Sequence, residues 1–94
     1  MVLVRNCFNA KPGAASKLAG RMKEAFAAAG IPNHRVLTDL TGDMNRVIVE
    51  FEAADAGAAE RTIREYRNST AFRELMAGYT ELWVSGSREI LRVE

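Results

Sequence analysis

The stretch VLTDLTGDMNRVIVEF, residues 36–51, is the one hairpin signal in the chain, and its reading decides the fold. Val36, Thr38 and Leu40 alternate with Leu37 and Asp39 before Thr41-Gly42-Asp43-Met44-Asn45 breaks the run with turn formers. Val47, Val49 and Phe51 then alternate with Ile48 and Glu50. Two period-two runs about a short connection make two paired strands. On each side of them the chain holds material for one helix and one outer strand.

Upstream, residues 2–8 are rich in β formers and stop at Asn9, which predicts a first strand. Pro12 stands where a missing N–H costs nothing, at the start of a helix predicted over residues 12–29. Leu18, Met22, Ala25, Phe26 and Ala29 recur there at helical spacing, and Gly30 and Pro32 supply the stop. Gly20 and the many alanines predict a close approach of this helix to a sheet. Downstream, Ala59, Ile63 and Tyr66 line one helical stripe, Asn68-Ser69-Thr70 interrupts with capping residues, and Phe72, Leu75, Met76, Tyr79, Leu82 and Trp83 repeat at three and four. One helix bent or restarted near Ser69 is expected, ended by Ser85-Gly86-Ser87, with a last strand over residues 88–93, REILRV.

The order β-α-β-β-α-β resolves into an α+β domain spanning 1–94: a four-stranded antiparallel sheet with both helices on one face, because two right-handed crossovers put them on the same side. Apolar groups nevertheless fall on both sheet faces, since Val2, Val4 and Phe8 alternate with Leu3 and Cys7, and Val36 and Leu40 with Leu37. A second copy of the chain is the simplest cover for the face without helices, and Val4 and Ile48 are the side chains expected to need it. The expected partner is therefore a homodimer.

Composition narrows the function classes. The chain is 48% apolar and 27% charged, with 13 basic against 12 acidic residues and no basic run, so bulk charge gives no reason to propose nucleic acid. Arg5 follows only four residues of the amino terminus, which leaves neither a signal-peptide core nor a membrane span there, and a cytoplasmic protein is expected. The single cysteine, Cys7, cannot form an internal disulfide and reads as a small buried thiol on a strand. There is no Gly-rich phosphate loop and no His/Cys cluster, so no cofactor is expected.

Four motifs extend over essentially the whole chain: Asn-x-Lys-Pro-Gly at residues 9–13, LTDLTG at 37–42, YRNSTAF at 66–72 and REILRV at 88–93. In these it resembles the small ferredoxin-like dimeric α+β barrel proteins, most closely the antibiotic-biosynthesis-monooxygenase and NIPSNAP-like members. The resemblance implies a homodimer whose two sheets form a barrel, with a ligand pocket between sheet and helices in each protomer. It specifies fold better than activity, because such members include cofactor-free oxygenases, haem degraders and proteins of no known activity.

Set against the haem-degrading branch, the resemblance places Asn6 where that branch has its pocket asparagine, Tyr66 where it has a tryptophan and Met76 where it has the axial histidine. Without that imidazole the iron lacks its expected ligand, and haem degradation is not the expected function. His34, the only histidine, is the candidate general base for a phenolic substrate, although no carboxylate at helpful spacing orients it. Asn6 is the candidate polar group in the cleft. Tyr66, Met76 and Trp83 complete the ligand-binding candidates, the two aromatics because their polar tips want partners. Arg5, Glu50, Glu89 and Arg92 are expected to pair across neighbouring strands rather than to form an acid–base site. The function expected is binding of a small organic molecule in a mostly apolar cleft, with cofactor-independent monooxygenation as the enzymatic reading; a non-catalytic dimerisation or regulatory module is the alternative.

Overall fold

A computed structural model describes residues 1–94 as β1 (Val2–Ala10), α1 (Ala15–Ala28), β2 (Arg35–Thr38), β3 (Arg46–Ala53), α2 (Ala56–Asn68), α3 (Thr70–Leu75), a 3-10 turn (Tyr79–Leu82) and β4 (Trp83–Arg92). The strands form one antiparallel sheet in the order β2-β3-β1-β4. All helices lie on one face, as the right-handed crossovers require. No helix is long and apolar enough to cross a membrane.

The helix ends follow the sequence signals closely. After α1, Gly30 takes φ +70°, its N–H reaches Ala27 O at 3.0 Å, and the Ile31 N–H reaches Phe26 O at 3.3 Å. That pair of bonds is a Schellman motif, and it folds Ile31 back into the core. Asp55 caps α2 by accepting from the Ala58 N–H at 2.8 Å. Ser69 both ends α2 and starts α3, its extended backbone breaking the helix and its Oγ accepting from the Phe72 N–H at 3.3 Å. The predicted restart near Ser69 is therefore a cap.

Four boundaries differ from expectation. Pro12 belongs to a turn, not to α1: Gly13 at φ +82° and the Ala14 N–H on Lys11 O, 2.9 Å, complete a Pro-Gly reversal before the helix begins. The second helical region stops at Leu75, since the left-handed Gly78 cannot continue it, and the periodic Tyr79 and Leu82 sit in a 3-10 turn instead. Trp83 starts β4 rather than ending a helix, paired with Ala10 across a bulge in β1 at Asn9/Ala10. Leu40 lies beyond β2 and is 99% exposed, so it belongs to no face.

The even-numbered residues of β1 and the odd-numbered residues of β3 point under the helices, where Val4, Asn6, Val47, Val49 and Phe51 are buried with Leu18, Met22, Phe26, Ile63 and Tyr66. Val4 is thus a core residue and not part of the open face. Gly20 makes no close approach either, because a Cβ there would meet nothing within 4 Å. On the open face the register aligns Arg35, Glu50, Arg5 and Glu89 in one row across all four strands. The Glu50 carboxylate, 1% exposed, accepts from Arg5 Nε at 3.3 Å and from Arg35. Arg92 falls on the other face, opposite Val2, and so leaves the group. Leu37, Ile48 and Cys7 form the next row, with Leu3 and Leu91 on the far side of the charges.

Candidate functional site

Between sheet and helices the core is not filled. A cavity of about 350 Å³ is floored by Asn6, Phe8 and Val49 and roofed by Met22 and Phe26 from α1, Tyr66 from α2 and Phe72 from α3. Met76 and Tyr79 also line it, and so do Arg67 and Arg88. A largely apolar hollow with a few convergent polar groups is what a small organic ligand requires.

The polar groups form one chain. Asn6, 5% exposed, accepts through Oδ1 from Arg88 Nε at 2.6 Å, and Arg88 Nη2 donates to the Tyr66 hydroxyl at 3.4 Å. Burial pushes the Tyr66 phenol above its ordinary value, with Arg88 and the neighbouring Asn6 amide acting against the shift. The phenol is therefore neutral at physiological pH. Its ring lies 4.8 Å from Phe72 and 5.2 Å from Phe26, centroid to centroid, and this aromatic trio holds it in place.

Of the residues singled out from sequence, Asn6, Tyr66 and Met76 line this cavity together. Trp83 and His34 stand one layer behind it. Trp83 packs on Phe8 at 5.4 Å and on Tyr79 at 6.1 Å, and its Nε1 is buried without an acceptor. His34 Nδ1 is 2.6 Å from Ile31 O, and the ring lies 6.0 Å from Phe26. No carboxylate and no imidazole is among the lining side chains. Arg67 and Arg88 were missed as site residues; alternation along REILRV places Arg88, Ile90 and Arg92 on one face, and that face is the one turned toward α2.

No protein-family model and no curated protein matches the chain. Solved structures do. An uncharacterised NIPSNAP-like domain protein from Burkholderia xenovorans superposes with a TM-score of 0.81 at 16% identity, over 99% of this chain and 84% of that one. A NIPSNAP family protein from Agrobacterium tumefaciens gives 0.82 at 13% identity, over 97% and 90%. The chain has the NIPSNAP fold. A proposed antibiotic biosynthesis monooxygenase from Nitrosomonas europaea shares it too, with a TM-score of 0.73 at 8% identity over 99% and 98% of the two chains. At these identities the NIPSNAP-like architecture is shared and the chemistry is a separate question.

Proposed function

We propose that this NIPSNAP-like chain works as a homodimer and binds one small organic molecule per protomer in the cavity between sheet and helices. The observation that carries the reading is the cavity itself, apolar on most sides and provided with one fixed polar chain through Asn6, Arg88 and Tyr66. Dimerisation is supported by the open face, where Leu37 and Leu91 remain 39% and 37% exposed beside Ile48 and Cys7. The alternating row Arg35, Glu50, Arg5, Glu89 gives that face a pattern that a two-fold copy can match.

Turnover in this reading is cofactor-independent oxidation of a phenol. The substrate supplies the electrons: a phenol and O₂ give a quinone and water, one oxygen atom entering the ring and the other leaving. Arg88 would hold the phenolate and Tyr66 donate a hydrogen bond to it, while the proton is lost to solvent. Binding needs no general base, and none lines the cavity.

A thermal-shift screen with phenolic and fatty small molecules tests binding. A ligand at a hundred times its Kd should stabilise the fold by about 2.7 kcal/mol. Oxygen uptake with the phenols that bind tests turnover. Absence of any stabilising compound would remove the binding role and leave a dimerisation module.

A further inference from the structure

Arg67 and Arg88 belong to two hollows at once. They line the cavity, and they also line an open groove between α2 and β4 together with Arg64, Asn68, Glu60, Ile63 and Ile90. Three guanidinium groups meet there with one carboxylate. None of the four ion pairs in the molecule includes Arg64, Arg67 or Arg88, so Glu60 neutralises none of them by contact.

Arg88 is held by neutral partners alone, the Asn6 amide oxygen at 2.6 Å and the Tyr66 hydroxyl at 3.4 Å. A guanidinium fixed by a nearly buried amide, with no acid against it, keeps donors free in a planar fork suited to a carboxylate. Arg5 and Arg35 pair with Glu50, Arg46 with Asp39 and Arg92 with Glu94, whereas Arg21, Arg61 and Arg73 are in no ion pair either. What sets Arg67 and Arg88 apart from those is that they line the cavity as well as the groove.

We infer that the ligand is a small carboxylic acid with an apolar body: the body fills the cavity beneath Phe26, Tyr66 and Phe72, and the carboxylate sits at the mouth on Arg88 and Arg67. A carboxylate is already ionised in water, so it needs no base from a lining that has none. This assignment rests on the cavity being a binding site, and the experiment separates the two.

The probes are naphthalene-2-carboxylate and decanoate, each beside its own methyl ester, titrated calorimetrically into the full chain at low salt. Each acid is expected to bind at least tenfold more tightly than its ester, and the difference should shrink as salt is raised. Arg88→Gln should bring acid and ester to the same affinity. Arg67→Gln, on an exposed helix position, keeps the test open if the Arg88 variant fails to fold and should narrow the gap several-fold. Equal binding of acid and ester by the wild type, or a preference that survives both substitutions, overturns the carboxylate assignment while the cavity reading stands. Binding of none of the four compounds overturns the carboxylate assignment, and the screen with phenols then decides the cavity reading separately.

Discussion

Asn6 and Arg88 are register partners across the β1–β4 ladder, and their side chains meet on the helix-facing side of the sheet, Nε to Oδ1 at 2.6 Å. A buried amide thus fixes an outer-strand guanidinium whose far end reaches the Tyr66 hydroxyl. The sheet register, rather than any loop, sets where the positive charge enters the cavity.

Replacing Asn6 by Ala should free Arg88 and lower stability by about 1 kcal/mol, because the exposed guanidinium regains water while the amide's own bond is lost. Urea denaturation measures the loss. An unchanged midpoint would mean that Arg88 never depended on the amide.

Tyr66 should titrate late. A phenol raised by burial stabilises the fold in its neutral form: the contribution is whole below pH 10, its ordinary value, and is lost as pH rises through the higher folded-state value. The chain has two tyrosines, so absorbance at the phenolate band should show a component above pH 10 that Tyr66→Phe removes. Stability of the wild type should fall over the same interval, and less so in the variant.

Gly20→Ala should stabilise the protein by about 0.5–1 kcal/mol. The position is inside α1, its φ is not positive, and an added methyl meets nothing within 4 Å, so the gain is the lost freedom of the unfolded chain. Thermal melting reads this directly. A loss would place a neighbour against α1 in the assembled protein.

The proposed homodimer predicts sedimentation at about twice the chain mass and a melting temperature that rises with protein concentration. Ile48→Lys places a charge in the apolar row beside Cys7 and should weaken both. Monomeric wild type at tens of micromolar would mean that the row of arginines and glutamates leaves the open face adequately hydrated.

The hairpin and the Ser69 break were legible because each is written locally: alternation for the strands, a hydroxyl cap for the restart. Gly30 was legible for the same reason. The start of β4 was not. Tyr79, Leu82 and Trp83 keep helical spacing, and only the pairing of Trp83 with Ala10 across the β1 bulge turns that run into a turn and a strand. The candidate site was half legible. Asn6, Tyr66 and Met76 could be placed by the family resemblance, whereas Arg67 and Arg88 line the cavity only through the contact of β4 with β1 and its position beside α2. His34 and Trp83 were marked by chemical type, and type does not give depth: each ends one layer behind the cavity wall.

β4 is an outer strand with one unpaired edge, and through Arg88 it is also a wall of the cavity. If a chain adds to that edge, it meets the strand that positions the guanidinium, and an occupant that drew the guanidinium inward would act on the same strand. Edge pairing and occupancy would then be linked, each changing the other's affinity by one common factor.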